Sequence, residues 1–384
     1  MPAKSARILE IVRALSALVR SGDELTRRLR IMTRSGTVQF SIRGRESGGQ
    51  ILAQDVDLES ELDVVVDLPF FEKILSASDS EHVRLDVEGS NLRISLDRAV
   101  FSIPLLNPES YVSPPHKDLP IDLRVKTDLS SLRKSLRRVE YVLDSRLQTL
   151  PSTVYSSYVV FDFDAATSEF VPFLAIERRR LSVAFLPVRF EKENVGGKIV
   201  VLPDSIELPL RVFRSEENEE VAISASRSVA FLEVRDCEAF ATVANAFVPN
   251  WSELLDRVIS QSSFEAKVPA RGMRSALRQI APVVNPEYRR IALVFNPKQI
   301  TVCAHGESQG EIVVDADCSV TESNRIVLDH RLLLEYVEAC HSLSDAEIRI
   351  RFGGPREALV FTNGEFTSRK PNEYFHVLMP IAEQ

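Results

Sequence analysis

Asp162 and Asp164, in the run Phe161-Asp162-Phe163-Asp164, are the carboxylates best spaced for metal chemistry. Alternate residues of a strand share a face, so two hard oxygen ligands would point the same way. No third acidic ligand or histidine accompanies them, and strand ends commonly carry aspartate, so the pair reads as structural. The histidines (His82, His116, His305, His330, His341 and His376) are scattered, and none pairs with serine or cysteine to form a nucleophile. Cys237, Cys303, Cys318 and Cys340 lack the spacing of a metal site or a disulfide framework, and read as buried thiols in a reducing cytoplasm. Gly353-Gly354 reads as a hairpin turn and Gly196-Gly197 as a loop, and no glycine-rich phosphate loop leads into a helix. The chain is expected to be no enzyme, and to hold no cofactor and no metal.

Binding chemistry is more visible than catalysis. The chain is acidic overall, with a formal net charge of −8, yet its cations gather on particular helices. A helix over about Ser5 to Val19 has Ile8, Ile11, Val12, Leu15, Leu18 and Val19 on one stripe and is followed by Arg20, with Arg13 off that stripe. In Leu129 to Val139, the residues Leu129, Leu132, Leu136, Val139 and Leu143 recur at three- and four-residue steps, while Arg133, Lys134, Arg137 and Arg138 share another face. From Ala270 to Val283, Met273, Leu277, Ile280 and Val284 face a core, and Arg271, Arg274 and Arg278 form one basic stripe. Lys73, in the helix Phe70 to Leu75, joins this set. Cations on equivalent helices can converge on one polyanion, giving phosphate contacts that carry affinity without reading sequence. Glu216, Glu217, Glu219 and Glu220 are expected to face outward and discourage binding elsewhere.

These helices belong to a unit that occurs three times. A short apolar strand leads into a helix, a polar break follows, and two alternating strands close the unit. The copies begin at Val64, Val200 and Ile326, roughly 130 residues apart, the size of one small domain. In the first, Val64 to Asp67 precedes the helix Phe70 to Leu75, with strands Val83 to Val87 and Leu92 to Leu96. The second has a helix from Ile206 to Phe213, which Pro209 should break. The third has a helix from Leu332 to Cys340 and strands Ile348 to Phe352 and Ala358 to Phe361. Prolines accumulate between Pro104 and Pro120 and mark a boundary. The expected organisation is α+β, in three similar domains at 1–119, 120–256 and 257–384. No window reaches the roughly 20 apolar residues of a membrane span.

Helix, two strands, helix and hairpin, repeated in this order, resemble the bacterial β sliding clamp, the processivity subunit of DNA polymerase III. The resemblance is clearest at Val64 to Pro104, Arg180-Leu181-Ser182-Val183-Ala184, Phe247-Val248-Pro249-Asn250-Trp251 and Val377-Leu378-Met379-Pro380-Ile381. It implies a DNA-clamp fold with helices on one side of antiparallel sheets, each chain forming half of a closed ring. It also implies a homodimer encircling double-stranded DNA without sequence preference, and tethering DNA polymerase, the clamp loader and repair proteins through short peptide motifs. By the same resemblance, the peptide pocket would use Tyr155, Ile176, Arg180, Leu181, Pro249, Leu254, Val377, Leu378, Met379, Pro380 and Ile381. Where the family has an Asp-Gly-His-Arg-Leu type of loop, this chain reads Glu177-Arg178-Arg179-Arg180-Leu181, and Glu253 stands where a basic residue is common. A second reading, from another class, is a divergent accessory clamp-like scaffold that binds proteins but does not serve the main replicative polymerase.

Overall fold

A computed structural model describes residues 3–19, 23–34, 37–54, 56, 61–111, 121–143, 157–191, 196–214, 218–305 and 308–381. Its helices are α1 (Ser5–Ser16), α2 (Leu68–Ser76), α3 (Leu129–Val139), α4 (Pro203–Val212), α5 (Trp251–Gln261), α6 (Ala270–Ile280) and α7 (His330–Ser342). Side-chain caps fix where several begin. Asp67 accepts from the Phe70 N–H, with Pro69 in the first turn of α2, and Asp329 accepts from the Arg331 and Leu332 N–H groups of α7. Both satisfy backbone donors that a helix start leaves without partners. Helix α4 is a correction to the sequence reading: it runs through Pro209 to Val212. Proline removes one helical donor, but Ile206, Leu208, Leu210 and Val212 are all buried, and that apolar packing holds the helix together.

The chain forms two compact units. The first gathers the described residues of Met1–Ser130, Arg189–Val195 and Ile199–Ala244. Its larger sheet is antiparallel and runs in the order Arg189–Phe190, Leu123–Asp128, Glu220–Ala225, Val229–Val234, Cys237–Thr242, Ser47–Ala53, Thr37–Arg43, Arg28–Arg34 and Asp63–Asp67. Strand Cys237–Thr242 pairs with Ser47–Ala53 in the register Phe240 to Gly48 and Ala239 to Gly49. Glycine is required there. A Cβ on Gly48 would lie 2.3 Å from the Phe240 ring, and one on Gly49 2.2 Å from the Leu208 side chain of α4. A smaller sheet holds Ala3–Lys4, His82–Glu88, Asn91–Leu96 and Ala99–Pro104. Helix α1 packs against α2 and α4.

The second unit gathers the described residues of Ser131–Val188, Gly196–Lys198 and Asn245–Gln384. Its larger sheet includes, as successive neighbours, Val159–Asp162, Phe170–Glu177, Arg180–Pro187, Tyr374–Leu378, Leu359–Thr362, Glu347–Phe352, Phe264–Pro269 and Asp317–Cys318. The smaller sheet runs Gln309–Asp315, Gln299–His305, Arg290–Asn296 and Asn324–Asp329. Helix α6 packs against α7 and beneath the small sheet. Residues expected to form the second domain thus contribute to both units, because each large sheet continues past the expected boundary.

The structure adds Ala99–Pro104, Phe170–Glu177, Cys237–Thr242, Gln309–Asp315 and α5 to the elements expected from sequence. Asp162 and Asp164 organise this part of the chain. Asp162, only 2% exposed, accepts a 2.7 Å hydrogen bond from the Trp251 indole and a 3.2 Å bond from the Asp164 N–H. Asp164 accepts from the Gly197 N–H at 2.6 Å. The Trp251→Phe substitution keeps the ring but strips the buried carboxylate of its indole donor. It is expected to destabilise the protein by ~1–3 kcal/mol in chemical denaturation; an unchanged midpoint would show that Asp162 does not anchor α5.

Candidate nucleic-acid interface and peptide site

The basic stripes lie on helices whose apolar faces are fully engaged. In α3, Leu129, Leu132, Leu136 and Val139 are buried, while Lys134 and Arg137 are exposed and Arg133 is half-buried. In α6, Met273, Ala276, Leu277 and Ile280 are buried and Arg271 is exposed. In the first unit, Arg13 of α1 is exposed and donates to the Ser76 hydroxyl of α2 at 3.3 Å, and Lys73 is exposed on α2. Lys73, Lys134, Arg137 and Arg271 have no ion pair among the described residues. Arg20 lies outside the described residues, as do Glu216 and Glu217. Glu219 pairs with Arg235, and Glu220 with Arg189 at 3.0 Å and with Lys126.

The remaining cations are claimed by carboxylates. Arg274 and Arg278 both contact Glu338 of α7, at 2.7 and 2.5 Å. Burial works against the Glu338 charge, but the two arginines outweigh it and hold this carboxyl below the usual carboxylate range. Arg138 differs in placement from its neighbours on α3: it is buried, not on the solvent face. Its guanidinium makes a two-pronged contact with Asp345, one arm at 2.7 Å, and lies 3.9 Å from the centre of the Tyr374 ring. Burial alone would lower the Arg138 pKa, yet the Asp345 hydrogen bonds raise it above the ordinary value. It cannot meet a phosphate without surrendering that pair.

Arg138 belongs to a buried polar core. Its carbonyl accepts from the Ser182 hydroxyl at 2.6 Å, and Ser182 accepts from the Tyr141 hydroxyl at 3.2 Å. Tyr141 lies 3.1 Å from His376 Nδ1, and the His376 ring stacks on Tyr336, centroids 4.6 Å apart. The Tyr374 hydroxyl stands 2.9 Å from that of Tyr336 and 3.1 Å from Cys340 Sγ. Burial pushes the Cys340 thiol up to about 11, so this cysteine is held as an inert thiol. None of these partners was legible in sequence: Arg138 and Asp345 are 207 residues apart.

At the proposed peptide site, the strands Phe170–Glu177 and Arg180–Pro187 pair with Ile176 opposite Leu181, and Tyr374–Leu378 continues the sheet with Val377 opposite Leu181 and Leu378 opposite Arg180. Leu181, Val377 and Leu378 are consequently buried. Arg180 is also buried, its guanidinium bonded to Glu335 at 2.5 Å. Leu254 and Met379 expose 37% and 42% of their surface, and Phe247 of the same unit 79%. Ile176, Pro249, Pro380 and Ile381 are half-buried. Ile381 packs on Ala292, Cys303 and Val327 and donates its N–H to the Val327 carbonyl at 2.8 Å. Tyr155 lies outside the described residues. Among those described, no cluster of three or more His, Cys, Asp or Glu could hold a metal ion, and no helix is long and apolar enough to cross a membrane.

Two measurements test the polar core. Arg138→Met leaves Asp345 buried without its counter-charge, at an expected cost of ~3–5 kcal/mol; adding Asp345→Asn should recover part of it in denaturation experiments. Burial holds His376 well below the ordinary histidine value of 6.5, with Arg180 adding to the effect. The unfolded chain takes up this proton more readily than the native one, so stability is lost as pH falls below about 6.5. His376→Phe should flatten the fall of melting temperature between about pH 6.5 and 5, and an identical slope would remove His376 as its source.

No protein-family model and no curated protein matches this chain by sequence. Solved structures do match its fold. A crystal structure of a DNA polymerase sliding clamp from Pseudomonas aeruginosa superposes with a TM-score of 0.82 at 15% identity, covering 100% of this chain and 99% of the other. A DNA polymerase III subunit beta from the same organism, bound to griselimycin, gives 0.83 at 14% identity with the same coverage. A structure provisionally assigned as a DNA polymerase III beta subunit from Eubacterium rectale gives 0.82 at 12% identity, covering 99% and 98%. The chain therefore has, over its whole length, the α+β fold of the bacterial DNA polymerase III β sliding clamps.

Proposed function

We propose that this protein is a sliding clamp: a homodimeric ring that encircles duplex DNA and tethers DNA polymerase and other replication or repair proteins. The observation that carries this reading is a pair of open sheet edges. Ala99–Pro104 ends the small sheet of the first unit, and Gln309–Asp315 ends that of the second. Each displays apolar side chains to solvent, Val100 at 57% and Phe101 at 37% on one, Val313 at 56% on the other. Unpaired edges of this kind template another strand unless they are covered. Pairing the first edge of one protomer with the second edge of its partner covers both edges twice, and a two-fold arrangement then stops growing.

In this reading the division into domains at 1–119, 120–256 and 257–384 follows that of the clamps, and the helices turn Arg13, Lys73, Arg133, Lys134, Arg137 and Arg271 toward the DNA. Arg274 and Arg278 contribute less, since they share Glu338, and Arg138 serves the protein's own core. Linkage around the duplex replaces tight binding, so weak and salt-sensitive phosphate contacts suffice for retention. The partner peptide rests on Leu254 and Met379, with Ile176, Pro249 and Pro380 around them. The protein performs no chemistry of its own. The rim sequence Glu177-Arg178-Arg179-Arg180 favours the second reading, an accessory scaffold with partners of its own; stimulation of a replicative polymerase separates the two.

A double substitution, Val100→Glu with Val313→Glu, places like charges on both edges and is expected to convert the dimer to monomer in sedimentation equilibrium. Wild-type protein loaded on closed circular DNA should remain bound until the circle is cut and then escape. The double variant, and separately Arg133→Glu with Arg137→Glu, should be retained at least about tenfold less. Retention on linear and circular DNA alike would overturn the ring.

A further inference from the structure

The rim of the proposed peptide site carries a turn of two arginines. Glu177 pairs opposite Arg180, so Arg178 and Arg179 alone form the turn between the two strands. A turn this short often demands a positive φ, yet neither arginine adopts one. The Glu177 side chain holds the turn instead, accepting from the Arg179 N–H at 3.3 Å. Both turn arginines are exposed, and neither has an ion pair among the described residues.

The carboxylates in this region are already engaged. Glu335 binds Arg180, and Glu177 lies 3.9 Å from the same guanidinium. Among the described residues, the two turn cations therefore present a positive field without a paired carboxylate. They present it beside an apolar contact, because the Met379 N–H donates to the Arg179 carbonyl at 2.9 Å and fixes an exposed thioether next to the turn. Methionine adapts to varied apolar guests, and arginine forks match carboxylates with two hydrogen bonds.

We infer that this site selects partner segments in which aspartate or glutamate flanks an apolar anchor, the anchor seated at Met379 and Leu254 and the acid on Arg178 and Arg179. The inference rests on the peptide-site reading above and adds the chemistry of the partner. The rim is a specificity device: it raises affinity for acidic segments and repels basic ones.

A random dodecapeptide library displayed on phage tests this against the full-length protein. Selected sequences should combine apolar residues with neighbouring Asp or Glu. Synthetic versions should bind about tenfold more weakly to Arg178→Glu with Arg179→Glu, and to an intermediate degree to Arg178→Gln with Arg179→Gln, with the difference shrinking in high salt. Binders that need Leu254 and Met379 but show no acidic bias, or are indifferent to the charge reversal, overturn the inference and leave the peptide site standing. Binders indifferent to Leu254→Ser and Met379→Ser, or none at all, overturn both. If the reversal leaves peptides unaffected but weakens retention on duplex DNA, the turn is a phosphate contact and the inference falls.

Discussion

A strand left at the edge of a sheet carries a row of donors and acceptors without partners, and most of this architecture follows from covering such rows. In the first unit, Cys237–Thr242 finds its partner in Ser47–Ala53, far back in the chain. In the second, Arg180–Pro187 finds its partner in the last strand, Tyr374–Leu378. Each large sheet thereby crosses a boundary that the repeats in the sequence would have drawn between domains. Gly48 and Gly49 make the first joint possible, since any side chain there would collide with Phe240 or Leu208. The second joint is buried on both faces, with Phe375 and Val377 on one and Tyr374, His376 and Leu378 on the other. Two of the edges left over, Ala99–Pro104 and Gln309–Asp315, are the ones we propose a second copy of the chain covers.

Charge is organised by the same economy of partners. A guanidinium removed from water needs a counter-charge close by, and Arg138 and Arg180 each have one in Asp345 and Glu335. Both residues belong to basic runs, and in both runs the neighbours remain in solvent. Burial thus sorts a stretch such as Arg178-Arg179-Arg180 into two exposed cations and one structural one. Strand geometry explains the sorting, because the first two are turn residues while Arg180 opens a strand that is covered on both sides. The acidic balance of the chain does not prevent local positive fields on α3 and on the hairpin turn, since net charge is an average and phosphates or carboxylates meet only what is near.

Much of this was legible in the residues themselves. Period-two and period-3.6 patterns marked most strands and helices, and the recurrence of strand, helix and hairpin pointed to the clamp fold. The run Phe170-Val171-Pro172-Phe173-Leu174-Ala175-Ile176 also had a signal, a continuous apolar stretch of the kind buried on both faces, although the proline obscures it. Ala99–Pro104 had less, because its exposed Val100 and Phe101 break the alternation that a covered strand would show.

Local order along the chain therefore determined which segments become helices and strands, and which helix faces carry cations, because periodicity and capping depend on near neighbours. Which cations stay free was decided only in three dimensions. Arg138 and Lys134 are equivalent in sequence pattern, and one is buried against Asp345 while the other is exposed. The partner lies 207 residues away, and no short-range rule can see a counter-charge delivered by the packing of α7 and the sheets.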